Sequence, residues 1–286
     1  MRFPSRSKSG FDLMTDEQKR ELGRAADDGM RALRKKLLSP FRKAIDDYGL
    51  VARGDKIAVC VSGGKDSFLM AKLFKEYKKH SDTGVKLVFL CMNPGYSDEC
   101  AEGIAQTADA LGISLTMFEA GVFDKVAAEK NPCYACARMR RGLLYEKARA
   151  LGCNKIALGH HYDDVIETTL ISMLYGGQVE TMLPKRKSAH YDGMELIRPT
   201  YLVRERDIAA WRDGAGLSFA RCACPLTENG ETEERSKRAA VKRLIAELKT
   251  DNPYVEQNIF KSMSNVKLAS VLGYTDTDGV KHDFRD

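Results

Sequence analysis

Apolar positions along this chain follow two rhythms. Short, mostly unbroken apolar runs fall at residues 57–61, 85–92, 113–118, 155–158 and 194–197. Between them, apolar residues recur every three or four positions, as in Phe68, Leu69, Ala71, Leu73 and Phe74. The first rhythm predicts strands buried on both faces, and the second predicts helices with one buried stripe. Helices are expected over 66–79, 98–111, 132–150, 163–175 and 204–214. Gly112, Gly152 and the Gly176-Gly177 pair close three of them, and Asn93-Pro94-Gly95 stops the second strand. Ahead of the first strand, Thr15 and Gln18 have the spacing of a capping box, and a helical pattern runs on with interruptions to about Tyr48. Pro40 is placed to open a second helix there. The clearest late amphipathic stretch is 236–249, while residues 1–14 carry no periodicity and are expected to be disordered.

Apolar strands that alternate with helices predict a mostly parallel sheet covered on both faces, a doubly wound α/β domain. The expected organisation is a helical segment over 15–50, the α/β domain over 51–220, and a helical C-terminal segment over 221–286. In such sheets ligands sit at the carboxyl ends of the strands. The loop from Ser62, the end of the 85–92 strand and the Gly159–Asp164 segment all fall there.

Composition narrows the class. With 43% hydrophobic and 30% charged residues the chain reads as an ordinary globular protein. No apolar run approaches the roughly 20 residues of a membrane helix. The first ten residues lack the apolar core of a signal peptide. No membrane contact and a cytoplasmic location are therefore expected. Eight cysteines in that compartment suit metal binding or catalysis better than a disulfide framework. The net charge of +6 is concentrated in four clusters: residues 31–43, Arg138 to Arg141, Lys185 to Lys187, and residues 235–243. Basic patches of this kind suit a polyanion, and around a nucleotide site they suit RNA.

The most specific chemistry is carried by Ser62-Gly63-Gly64-Lys65-Asp66-Ser67, between a strand and a helix. Two glycines let the backbone approach an anion, and the helix start offers free N–H groups and the positive end of its dipole. Lys65 adds a point charge, and Ser62 and Ser67 add hydroxyl donors. The spacing is neither that of the Walker A loop nor that of the G-x-G-x-x-G dinucleotide turn. SGGKDS resembles the pyrophosphatase loop (PP-loop) of the N-type ATP pyrophosphatases, which split ATP between its α and β phosphates and leave AMP on a substrate oxygen.

Cys133-Tyr134-Ala135-Cys136 opens a predicted helix, beside arginines. Both influences lower thiol pKa values, which makes good ligands or nucleophiles. By itself the pair is compatible with redox chemistry, half a zinc site or part of an iron–sulfur site. Cys222 and Cys224 lie far along the chain. Cys60, Cys91, Cys100 and Cys153 sit in apolar or helical surroundings and read as structural thiols.

Taken in order, SGGKDS, the C-x-x-C with Arg140-Arg141-x-Leu143-Leu144-Tyr145, LGHHYDD, Met173 to Gly177, Pro184-Lys185, Ile197-Arg198-Pro199 and a late cysteine resemble the tRNA 2-thiocytidine synthetase family of the PP-loop superfamily. The resemblance spans about residues 35–270. It implies the use of ATP, Mg2+ and a 4Fe-4S cluster held by three cysteines, with tRNA as substrate. It implies ATP contacts from Ser62 to Ser67, Arg140, Gly159, His160 and Asp164, and Mg2+ at Asp66 and Asp164. His160 and Asp163 would line the ATP or substrate side. Cys133 and Cys136 would bind the cluster, with Cys224 as third ligand and Cys222 as the alternative. Catalytic roles fall to Lys65, Asp66, Cys133 and Cys136. The implied reaction adenylates the C2 oxygen of a cytidine, at position 32 of the anticodon loop, and replaces it with sulfur, delivered from the cluster or as a persulfide. A sulfur donor such as a cysteine desulfurase, and a homodimer, are the further partners implied. Rival readings are a 2-thiouridine synthetase, a lysidine-type ligase of the same superfamily, and a non-catalytic RNA-binding or redox-sensing protein. The ligase has no use for the three cysteines, and the non-catalytic protein would form no AMP.

Overall fold

The computed structural model describes residues 14–126, 132–217, 219 and 237–285. Contacts divide the chain into two units, Met1–Val165 with Leu183–Arg235, and Ile166–Met182 with Ser236–Asp286.

The first unit opens with α1 (Asp16–Ala32) and α2 (Arg34–Asp47). Thr15 and Gln18 form the capping box their spacing predicts, each side chain bonding the other's backbone. The second helix begins at Arg34 and runs through Pro40, where the sequence pattern placed its start. The carbonyl that Pro40 leaves without its usual donor belongs to the exposed Lys36. Burial of Leu37, Leu38, Phe41, Ala44 and Ile45 holds the helix on both sides of the interruption.

Strand and helix then alternate: β1 (Lys56–Cys60), α3 (Lys65–Lys79), β2 (Lys86–Asn93), α4 (Asp98–Ala110), β3 (Leu115–Glu119), α5 (Val122–Val126), α6 (Pro132–Ala150), β4 (Lys155–Ala157) and α7 (Tyr162–Gly176), followed by β5 (Lys185–Lys187), β6 (Glu195–Ile197) and α8 (Glu205–Gly214). The six-stranded sheet has the order β3-β2-β1-β4-β6-β5 and is parallel except for β5. From β1 the chain steps to β2 and β3 on one side, then returns through α6 to β4 on the other. The order therefore reverses between β1 and β4, and in sheets of this kind ligands bind at the carboxyl ends of the strands at such a switch point.

Ala58, Cys60, Leu90, Ile156 and Leu196 form one core with Tyr145 and Ala148 of α6. Strand alternation turns Ile57 and Val59, both fully buried, to the opposite face. The short β5 was not expected: Lys185-Arg186-Lys187 reads as a charged patch. It pairs on one side only, with β6, and an edge strand tolerates charge on its free side.

Trp211 of α8 is fully buried, and its Nε1 donates to the Ala26 carbonyl of α1 at 3.1 Å. Replacing Trp211 by Ala should cost ~3–5 kcal/mol, the usual range for emptying a large aromatic site. A denaturant midpoint unchanged by this substitution would show that α8 is not anchored through this ring.

The second unit contains most of α7, α9 (Lys237–Asp251), α10 (Val255–Ser262) and a hairpin of β7 (Gly273–Thr275) with β8 (Lys281–Asp283). Its buried Glu167 accepts from Arg238 at 3.0 Å and pairs with Lys242 at 3.6 Å. The helical pattern expected to the C-terminus thus gives way to a hairpin, closed by a turn in which Asp276 Oδ1 accepts from the Asp278 and Val280 amides. Among the described residues no helix is long and apolar enough to cross a membrane.

Candidate active site

The loop after β1 is shaped by its glycines. Gly63 has φ +91°, and a Cβ there would stand 2.7 Å from Ile104 Cδ1, so a side chain is excluded twice over. Gly64 is the N-cap of α3 and carries no side-chain cap, which leaves the first-turn N–H groups facing outward. Ser67 closes the loop from within. Its hydroxyl accepts from the Ser62 amide at 3.1 Å and donates to the Gly64 carbonyl at 2.9 Å. This loop can take an anion on main-chain donors, while Ser67 holds its shape.

Lys65 and Asp66 follow. Lys65 Nζ lies 3.1 Å from Asp66 Oδ1 and 3.3 Å from Glu205 Oε1 at the start of α8. Among the described residues Asp66 Oδ1 is buried without a hydrogen bond, the lysine being close but poorly aligned. A buried carboxylate oxygen in that state, beside an anion-binding loop, fits Mg2+. That ion is commonly held by one or two carboxylates, with phosphate and water completing its shell. Among the described residues no three His, Cys, Asp or Glu side chains converge as a ready-made metal cage.

The loop after β4 docks directly on this helix start. A Cβ on Gly159 would lie 3.2 Å from the Asp66 carbonyl and from Ser67 Cα, so glycine permits the close approach. His161 caps α7 reciprocally with Asp164. The His161 amide donates to Asp164 Oδ2 at 3.0 Å, and the Asp164 amide donates to His161 Nδ1 at 3.3 Å. On the other side of the ring, His161 Nε2 stands 3.8 Å from Asp66 Oδ1. The buried imidazole is therefore interposed between Asp66 and Asp164, the two carboxylates expected at Mg2+. Asp163 is turned to α8: it accepts from Arg204 Nη2 at 2.9 Å and from the Glu205 amide at 2.7 Å. His160 Nδ1 accepts from Arg198 Nε at 3.3 Å.

The C-x-x-C pair lies in the first turn of α6, three residues apart and so on neighbouring positions of one helix face. Cys136 is buried with Met92, Val122 and Val126, and Phe123 packs against that group. Phe123 meets Tyr96 edge-on at 6.1 Å, and the Tyr96 hydroxyl donates to the Ser62 carbonyl at 3.3 Å. A continuous line of contacts therefore runs from the loop to Cys136. The side chain of Cys133, and Cys222 and Cys224 altogether, lie outside the described residues. Arg140 of α6 is near enough for its charge to act on Cys91. Burial pushes Cys60 and Cys91 each up to about 12 and raises Cys153, which keeps these thiols protonated and unfit as ligands.

His161, Arg204, Glu205 and Tyr96 were not singled out from the sequence. A signal for Glu205 was present, an acid in the first turn of a helix that follows a sheet strand. His161 stood inside a motif whose first histidine drew the attention.

Fold and site together define a PP-loop protein, and the PP-loop domain family matches residues 33–244. The tRNA-cytidine(32) 2-sulfurtransferase of Anaeromyxobacter dehalogenans (strain 2CP-C) is 36% identical over 245 residues, covering 84% of this chain and 82% of that protein. The enzyme of the same name from Geobacter sulfurreducens is 32% identical over 237 residues, covering 82% and 90%. The chain belongs to this tRNA-cytidine(32) 2-sulfurtransferase family of PP-loop enzymes. Among solved structures, the U34-tRNA thiolase NcsA from Methanococcus maripaludis with its 4Fe-4S cluster shares the fold. Its TM-score is 0.65 at 19% identity, covering 87% of this chain and 86% of that one.

Proposed function

We propose that this enzyme thiolates tRNA, converting a cytidine at position 32 to 2-thiocytidine at the expense of ATP. The observation that carries this reading is the shared carboxyl edge of the sheet. The anion-binding loop and the first turn of α6, with its C-x-x-C, both lie at that edge, linked through Tyr96 and Phe123. ATP phosphates rest on the uncapped amides of α3, with Lys65 facing the β and γ groups. Asp66, whose buried Oδ1 has no hydrogen bond among the described residues, would hold Mg2+, which when bound would offset charge on the ATP phosphates. The cytidine C2 oxygen attacks the α-phosphorus, the bond to the β-phosphate oxygen breaks, and pyrophosphate leaves as Lys65 and the loop amides stabilise its charge. The terminal sulfur of a persulfide, supplied by a donor such as a cysteine desulfurase, then attacks C2, and AMP departs with the former oxygen. A second thiol attacks the inner sulfur of the resulting S–S bond, which leaves sulfide-level sulfur on C2 and forms a disulfide. Cys133 and Cys136, with Cys224 or Cys222, would hold a 4Fe-4S cluster, which when bound supplies an iron site for the incoming sulfur. The target base must leave its stack to reach the carboxyl edge of the sheet, so a loop nucleotide in a cytoplasmic tRNA is the natural substrate.

Mass spectrometry of tRNA nucleosides from cells lacking this protein tests the reading. 2-Thiocytidine should be absent and should return with the wild-type chain but not with Lys65→Ala. Its persistence in the deletion would overturn the assignment.

A further inference from the structure

Some of the basic residues anticipated from the sequence are paired with neighbouring carboxylates. Arg31 pairs with Asp28, Lys43 with Asp47, Lys36 with Asp207, and Lys185 with Glu195. Three arginines of the first unit converge from three different elements. Arg141 lies one helical turn before Tyr145 on α6. Arg186 of β5 is the register partner of Leu196, and Arg198 follows Leu196 by two residues. Register partners and residues two apart share a sheet face. Leu196 packs in the core that contains Tyr145, so Arg186 and Arg198 emerge on the side covered by α6. Burial raises the Tyr145 phenol, while a hydrogen bond to Ser188 and the charges of Arg141, Arg198 and Arg186 act against that rise. Burial first, and then the charge of Arg141 with a smaller part from Arg186, push Arg198 down to about 10. Arg198 is thus near enough to Arg141 and to Arg186 for each to act on it. Among the described residues none of them pairs with a carboxylate.

Three like charges gathered from three elements without a counter-charge are costly unless an anion joins them. Arg198 bonds His160, whose neighbour His161 faces Asp66, so the cluster adjoins the nucleotide site along a single loop. Arg141 and Arg186 are exposed, which opens the cluster to a polymer. From this juxtaposition we infer that Arg141, Arg186 and Arg198 form a phosphate subsite that grips the tRNA backbone beside the target cytidine. The inference rests on the thiolation reading and adds where the substrate is held. A phosphodiester offers two free oxygens to guanidinium forks, and fixing it fixes the position of the flipped base. Pyrophosphate released from ATP has the same chemistry and is the rival source.

The test uses the full-length enzyme and the double variant Arg141→Ala/Arg186→Ala, both positions being exposed. Binding of unmodified tRNA is measured across a salt series, together with inhibition of AMP formation by inorganic pyrophosphate. The expected result is a rise in tRNA Kd of about tenfold and a loss of about one from the slope of log K against log salt, because one phosphate contact carries roughly 0.7 to 0.9 of slope. Pyrophosphate inhibition should be unchanged, and Arg186→Lys in place of Arg186→Ala should recover part of the affinity. A double variant that binds tRNA with wild-type Kd and slope would overturn the subsite. So would one that loses pyrophosphate inhibition while keeping tRNA affinity. A wild-type enzyme that neither binds tRNA nor forms AMP with it would instead overturn the thiolation reading, and the subsite with it.

Discussion

Replacing Asp66 by Asn lowers AMP and pyrophosphate formation by at least about a hundredfold, the usual loss when one preorganised electrostatic group is removed from a transition state. The substitution keeps the size and shape of the side chain but removes the charge from the buried Oδ1 that no hydrogen bond satisfies. Among the described residues Lys65 then has Glu205 as its remaining counter-charge, at 3.3 Å. The stability change should be small, because one acid in a helix first turn contributes about 0.3–1 kcal/mol. Turnover measured over a Mg2+ titration checks the assignment. The remaining activity should require more Mg2+ than wild type. Near-normal turnover at ordinary Mg2+ would remove Asp66 from the metal and catalytic roles.

The second large effect concerns sulfur. Cys133→Ala/Cys136→Ala should abolish thiolation and strip iron and sulfide from anaerobically purified protein, while AMP formation with tRNA persists. The separation is expected because, among the described residues, the contacts traced from α6 to the loop run through Tyr96 and Phe123 to the Ser62 carbonyl rather than to Lys65 or Asp66. Cys136 is buried among apolar side chains, so trimming it to Ala costs about 1 kcal/mol and leaves the helix folded. Thiolation that survived the double substitution would show that sulfur reaches the base without these cysteines. Loss of AMP formation as well would mean that α6 shapes the nucleotide site itself.

Much of this arrangement was readable from residue order. The apolar runs at β1 and β4 announce parallel strands, because strands buried on both faces cannot alternate with polar residues, whereas the edge strand β3 is at most half-buried. SGGKDS announces an anion loop, because a positive φ at Gly63 and the bare N-cap at Gly64 need those residue types. The charged β5, the C-terminal hairpin and the start of α2 were not readable. An edge strand, a short hairpin and a proline inside a packed helix are each stabilised by what they rest against, which local preference does not record.

The chain by itself determined the sheet, the phosphate loop and the chemical types of the site, since each follows from backbone sterics and apolar periodicity acting over a few residues. Tertiary structure alone decided how those types are used. It set His161 between Asp66 and Asp164, turned Asp163 toward Arg204, and gathered Arg141, Arg186 and Arg198 around one tyrosine. Those distances join residues remote along the chain. They depend on how three loops and an edge strand meet over the sheet, where close packing leaves each side chain one place to go.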